Sequence, residues 1–270
     1  MWEVEPTLII AIAFLAVVYA SAATVLKRQP STKQIAACTA ALLMLIGTLS
    51  GPIDWLARNR LFSAYIFQQM MLIFVVPPLI LLGLPDWMVR PVMMNRMVEP
   101  LARFCTRPLV GFLSFAAVFT LIHYPPVCDR VCHVTQLYGW IRVVLLTAGM
   151  MLWWPLLSPL PEYPRMSYPM QIMYLFLLMI PMTAVAAPIT LAESVLYMFY
   201  VSGPHPLGFT PMADQVLGGL IMWIGQGIYI MFVFTAIFAR WSRTEDQEMP
   251  PINRAGPAPL HVLRNPSRHP

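Results

Sequence analysis

Residues 61–85 read LFSAYIFQQMMLIFVVPPLILLGLP, a stretch without a single charged side chain. A helix needs only about 20 mostly apolar residues to cross the hydrocarbon core of a bilayer. The stretch therefore reads as a transmembrane helix over 62–84, and this reading decides the class of the whole chain. Two features mark it off from a plain apolar span. Pro77 and Pro78 lie inside it, and Tyr65, Gln68 and Gln69 place polar groups one to two turns from its start.

The remainder of the chain agrees with that class. Of the 270 residues, 59% are hydrophobic and 11% charged, against about 25% charged in soluble domains. The mean hydropathy is +0.67. There is no internal period and no long polar stretch before residue 242, so one membrane domain over 1–241 is expected and a soluble catalytic domain is not. The net charge of +5 has to be weighed against topology before any anionic partner, and nucleic acid is not expected. The opening MWEVEPT is acidic where a secretory signal would be basic, and no small-residue cleavage pattern follows. The first apolar run is accordingly read as a retained helix.

Seven stretches have the length and composition of spans: roughly 7–26, 34–50, 62–84, 108–124, 137–157, 170–192 and 214–239. Pro181 and Pro188 in the sixth remove helical hydrogen bonds and kink a span. Alternate connections hold Lys27, Arg28, Lys33, Arg90, Arg96, Arg103, Arg107, Arg165, Arg240, Arg243, Arg254, Arg264 and Arg268, which is 13 of the 17 basic residues. The other face holds Arg58, Arg60 and Arg130, with Arg142 just inside the fifth span. Cytoplasmic loops carry such an excess, so an outside N-terminus and an inside C-terminus are expected. Residues 242–270 are rich in Pro and polar groups and read as a disordered cytoplasmic tail, in which His261 and His269 are solvated.

On this topology HYPPVCDRVCH (123–133) joins the fourth and fifth spans on the outer, oxidising side. Two readings of Cys128 and Cys132 stand. They can be structural, bridged as a disulfide, or they can hold a soft metal, because thiolates select copper(I) or zinc. A C-x3-C spacing on a helix puts both sulfurs on one face, and His133 and His123 add imidazoles. Cys38, within an apolar span, and Cys105, on the cytoplasmic side, do not join them. Tyr65, Gln68, Gln69, Asp54, Arg142, Glu193, Asp214 and Gln215 fall at one depth in the outer third of the membrane. A charge within a span faces the bundle interior and needs a partner. For Arg142 the candidate acids are Asp214, Glu193 and Asp129, as a packing pair or as the wall of an outward chamber. Of the 20 methionines, Met70, Met71 and Met212 lie near this cluster as possible thioether ligands. No phosphate-binding glycine loop, H-E-x-x-H helix or G-x-S-x-G elbow is present, so no enzyme is expected. The glycines of LGGLIMWIGQG (217–227) are read as sites of close helix packing.

LFSAYIFQQMMLIFVVPPLILLGLP, IHYPPVCD (122–129), LLTAGMMLWWPLLSPLP (145–161) and PMADQVLGGLIMWIGQG (211–227) together resemble the CtaG-type cytochrome c oxidase assembly proteins, over about residues 45–240. The resemblance implies a multi-pass protein of the bacterial inner membrane that serves maturation of an oxidase and its copper centre. Its implied partners are oxidase subunits or a copper chaperone, besides membrane lipid. The family pattern in the third span is close to H-M-x-Q-H-M, where this chain has Tyr65-Ile66-Phe67-Gln68-Gln69-Met70. The H-x3-H of the fifth span falls on Tyr138 and Arg142. Only His123 and Asp214 carry over.

The sequence thus predicts an all-α bundle of about seven transmembrane helices. The first functional expectation is an assembly factor handling copper through Cys128, Cys132, His133 and His123, with Arg142, Asp214, Gln68, Gln69 and Tyr65 lining the chamber. The second is a metal-free scaffold or accessory subunit in which Arg142 and Asp214 pair and the cysteines are bridged. A transporter would need a continuous polar path, and the inner halves of the spans offer almost no polar residues.

Overall fold

A computed structural model describes residues 6–202 and 208–248. Among them the chain is helical and has no strand. In order, the helices are α1 (Pro6–Val25), α2 (Thr32–Leu49), α3 (Gly51–Asn59), α4 (Phe62–Met70), α5 (Val76–Gly83), α6 (Asp86–Met93), α7 (Glu99–Cys105), α8 (Pro108–His123), α9 (Pro125–His133), α10 (Thr135–Leu157), α11 (Tyr168–Thr190), α12 (Pro211–Leu220) and α13 (Gln226–Glu248). Single π-turns at Met71–Val75 and Ile221–Gly225 join α4 to α5 and α12 to α13.

All seven stretches expected to span are helical. Five helical segments are long and apolar enough to cross a membrane, namely Thr32–Leu49, Phe62–Gly83, Thr135–Leu157, Tyr168–Thr190 and Pro211–Glu245. A sixth results if α7 and α8, bent by 72°, act as one. The protein is a helical membrane bundle. α13 runs on to Glu248, through the first residues of the expected tail, and 249–270 lie outside the described residues.

Proline and glycine set the packing at the centre. Pro77 and Pro78 have no N–H, so the carbonyls of Ile73 and Phe74, four residues earlier, lose their helical donors. Lipid offers no water to replace them. Trp153 Nε1 of α10 donates to Ile73 O at 2.9 Å and Tyr229 Oη of α13 to Phe74 O at 2.5 Å. The same region is a π-turn, with Val76 N–H reaching five residues back to Met71 O. Gly149, one turn before Trp153, lets α10 come close: a Cβ there would lie 2.7 Å from Pro77 Cγ. A second exchange of this kind occurs between α10 and α8. Pro155 leaves Met151 O without its helical donor, and Gly111 packs so tightly on that carbonyl that a Cβ would meet it at 2.3 Å. Gly218 and Gly219 seat α12 against Phe62 and Thr190 in the same way.

The Pro-Pro and Trp-Trp-Pro motifs are therefore two halves of one joint. α1 is tied to it more loosely, through Tyr19 Oη on Gly83 O at 3.0 Å.

Candidate functional site

The candidate residues collect at the end of the bundle where α3 turns into α4 and where α9, the 191–202 segment and the start of α12 lie. α3 is short and holds Asp54, which is 5% exposed. Its i,i+4 neighbour Arg58 bonds it from within the helix, Nε to Oδ2 at 2.9 Å. From α10, Arg142 makes an ion pair with Asp54 Oδ1. Gln68 Nε2 donates to the same oxygen at 3.0 Å and to Thr48 O at 2.7 Å, while Gln68 Oε1 accepts from Tyr138 Oη at 2.8 Å. The Arg142 guanidinium lies 4.5 Å from the Tyr138 ring centroid, within cation–π reach. Burial of an arginine is tolerable only with such a set of partners.

The acid on Arg142 is thus Asp54, and none of the three expected candidates. Asp214 does different work. Leu61, at the N-cap of α4, has no side-chain acceptor, and Asp214 supplies one from α12. Its carboxylate accepts from Phe62 N at 2.6 Å, Ser63 N at 3.1 Å and Ser63 Oγ at 2.5 Å, at 0% exposure. Negative charge at a helix N-terminus is favourable, and α4 is capped through space by another helix. Asp129 accepts from Met198 N at 3.3 Å and Phe199 N at 3.1 Å, which fastens the 191–202 segment over α9. Glu193 is exposed. Gln215 holds that segment from below, with Oε1 on Leu196 N at 2.7 Å.

Within HYPPVCDRVCH, His123 ends α8, Tyr124 is extended, and the remainder is α9, with Pro125 and Pro126 in its first turn where their missing N–H groups cost nothing. The i,i+4 spacing places Cys128 and Cys132 on one face, and both thiols are free. Cys128 is fully buried. The neighbouring Cys132 thiol, then burial, pushes the Cys128 thiol well above the ordinary thiol range. Cys132 Sγ lies 3.4 Å from Tyr200 Oη, which donates to Ala57 O at 2.8 Å. Phe62 stacks on Tyr197 at 4.1 Å between ring centroids, and Tyr65 faces both Tyr138 and Tyr200. Tyr197 and Tyr200, absent from the sequence-based site, close it from above.

The two imidazoles stand apart from the thiols. His123 Nδ1 bonds Phe119 O at 2.7 Å within α8, its ring packs on Phe119, and its Nε2 is buried without a hydrogen-bond partner beside a separate cavity of about 350 Å³. His133 is exposed, with Nδ1 on Asp129 O at 2.7 Å. Among the described residues no three His, Cys, Asp or Glu side chains converge as a metal cage. Both amide atoms of Gln69 are buried and have no hydrogen-bond partner. Met70 and Met71 line a cavity between the two π-turns instead.

These features define a helical membrane protein with, at one end, a buried polar and aromatic cluster bearing two thiols. The chain belongs to the cytochrome c oxidase caa3 assembly factor (CtaG) family, whose model matches residues 16–244, as the four quoted stretches led one to expect. It is 26% identical over 267 residues to uncharacterized proteins of Mycobacterium bovis and Mycobacterium tuberculosis, covering 91% of this chain and 40% of each relative. An uncharacterized protein of Mycobacterium leprae is 23% identical over 204 residues, 69% of this chain and 31% of its own length. The chain thus spans well under half the length of these relatives. No solved structure matches it significantly.

Proposed function

We propose that the protein assists assembly of a cytochrome c oxidase from the outer face of the bacterial inner membrane, in contact with oxidase subunits or a copper donor, and that copper(I) in transit is held by Cys128 and Cys132. The observation that carries this reading is the pair of free thiols that the i,i+4 spacing sets on one face of α9. Two thiolates suit copper(I), a soft ion content with few ligands. The donor set present therefore fits the cargo at Cys128 and Cys132, without His123 or His133. Copper is here a substrate that passes through, and no turnover chemistry is assigned to the chain.

A second reading is favoured by a different observation. The positions at which the family resemblance expects histidines are Tyr65, Gln69, Tyr138 and Arg142, and Arg142 already brings a fixed cation that Asp54 neutralises. On that reading the cluster is a metal-free structural element of a scaffold.

Copper(I) titration of the reduced, detergent-purified protein against a chromophoric chelator separates the two. The copper reading expects about one copper(I) per chain, tighter as pH rises because binding displaces thiol protons, and loss of the site in Cys128→Ser/Cys132→Ser. No stoichiometric copper, or unchanged affinity in the double variant, leaves the scaffold.

A further inference from the structure

We propose that the opposite, arginine-rich end of the bundle carries a site for one anionic phospholipid, its phosphate between Arg165, Arg240 and the N-terminus of α11 and an acyl chain in the cavity beneath. That cavity has a volume of about 410 Å³ and lies between α5, α10, α11 and α13, within the range of roughly 300–1,000 Å³ usual for small-molecule sites. Leu82, Trp153, Leu157, Val233 and Ile237 make its walls, and no acidic residue lines it.

Three positive features meet at its rim. Arg165 and Arg240 both line the cavity and are exposed. Arg165 Nε donates to Ser158 O at 3.0 Å, which anchors the guanidinium at the rim. The third feature is the first turn of the 23-residue helix α11, whose N-cap Ser167 lines the cavity and makes no side-chain capping hydrogen bond. Pro169 has no N–H, and the uncapped N–H groups of Tyr168 and Met170 at this helix start favour an anion.

Glu162, on the same loop as Arg165, pairs with Arg90 at 3.0 Å. Among the described residues no acid forms an ion pair with Arg165 or Arg240. The rim therefore stays basic above an apolar cavity. A free phosphate would satisfy the rim but leave the cavity, and a zwitterionic lipid would fill the cavity but bring a cation of its own to the basic rim. Basic pockets between membrane helices on the cytoplasmic side suit anionic headgroups, and the positive-inside bias expects this end to be cytoplasmic.

The test is native mass spectrometry of the full chain in detergent, titrated with phosphatidylglycerol, phosphatidylcholine, or inorganic phosphate as competitor. One phosphatidylglycerol should be retained per chain with roughly tenfold preference over phosphatidylcholine, the order expected from two basic side chains. Arg165→Gln/Arg240→Gln should abolish that preference, and millimolar phosphate should not displace the lipid. Val233→Trp, which fills the cavity and keeps both arginines, should weaken retention by a similar factor. Circular dichroism and size exclusion check that each variant folds, and whichever does so decides the matter. Equal retention of the two lipids, indifference to both variants, or displacement by inorganic phosphate overturns the proposal.

Discussion

Trp153 Nε1 lies 2.9 Å from Ile73 O and supplies the hydrogen bond that the backbone of Pro77 has no proton to make. A carbonyl left bare in hydrocarbon costs several kcal/mol by transfer estimates, so the indole is a structural requirement of the Pro-Pro turn and not merely a bulky filler. Tyr229 Oη does the same for Phe74 O on behalf of Pro78. The pairing also ties three helices at one level, since α5, α10 and α13 share these two bonds.

Trp153→Phe should therefore lower stability by about 1–3 kcal/mol, the cost of an unsatisfied buried acceptor. On a Pro77→Ala background the backbone N–H returns and can bond Ile73 O itself. The cost of Trp153→Phe should shrink there by about 1 kcal/mol or more, a coupling that a double-mutant cycle reads directly. Denaturant unfolding in mixed micelles, followed by circular dichroism, measures all four corners. Strict additivity would show that the indole does not serve that carbonyl.

The Arg142–Asp54 pair behaves differently. Asp54 is shared by Arg142 and Arg58 at a site where Arg142 is 8% and Asp54 5% exposed. Asp54→Asn, which takes the acid from both guanidinium groups, is expected to cost about 3–5 kcal/mol, whereas Arg142→Gln leaves Asp54 with Arg58 and should cost less. Adding Arg142→Gln to Asp54→Asn removes the more buried guanidinium and should recover part of the loss. Asp214→Asn combined with Arg142→Gln should show no such recovery, because Asp214 caps α4 and does not touch the guanidinium. Thermal unfolding in detergent of these four variants and of Asp214→Asn alone checks both statements.

The contrast between those two acids shows what the sequence could and could not reveal. The apolar stretches are legible because lipid demands about 20 residues of them, and every one is helical. That Arg142 needed an acid was legible from its place in a span. Which acid was not, since depth along a span says nothing of azimuth: Asp54, Asp129, Glu193 and Asp214 all lie near one level. Asp54 wins because α3 folds back beside α4 and brings it under Gln68, a hairpin that composition does not encode. The role of Asp214 had one readable signal, the absence of Ser, Thr, Asp or Asn at Leu61 before α4, which called for a cap from elsewhere. For α9, the C-x3-C spacing left loop and helix both open, and Pro125-Pro126 in the first turn tips it to helix. Tyr197 and Tyr200 had no signal beyond their aromaticity, for their place over the thiols depends on Asp129 and Gln215 holding a loop with a single 3-10 turn at Met198–Tyr200.

Glycine contacts give a sharp contrast within one protein. Gly111→Ala places a Cβ against Met151 O, and Gly149→Ala places one against Pro77 Cγ and Ile73 O. Backbone cannot yield as a flexible side chain can, so each is expected to destabilise by about 1–3 kcal/mol. Gly227→Ala, whose Cβ would meet nothing within 4 Å in α13, should instead be neutral or stabilising by up to about 1 kcal/mol, from helix propensity. Melting temperatures of the three variants in the same detergent rank them. A destabilised Gly227→Ala would place an unseen neighbour on that face.

The thiol pair gives a prediction in pH. The nucleophile in alkylation is the thiolate, and the neighbouring Cys132 thiol and burial hold the Cys128 thiol well above its ordinary range. A raised value means the neutral form persists as pH rises through the usual thiol range, so the labelling rate should stay low there and climb only at higher pH. Maleimide labelling of the reduced protein at pH 7–8 should modify Cys132, which is partly exposed, at least about tenfold faster than Cys128. Cys132→Ala removes the first cause of the shift, the neighbouring thiol, and leaves burial, so the Cys128 labelling profile should move toward lower pH while remaining slower than that of an exposed thiol. Mass spectrometry of peptic peptides quantifies both sites, and equal rates at Cys128 and Cys132 would contradict the buried placement of Cys128.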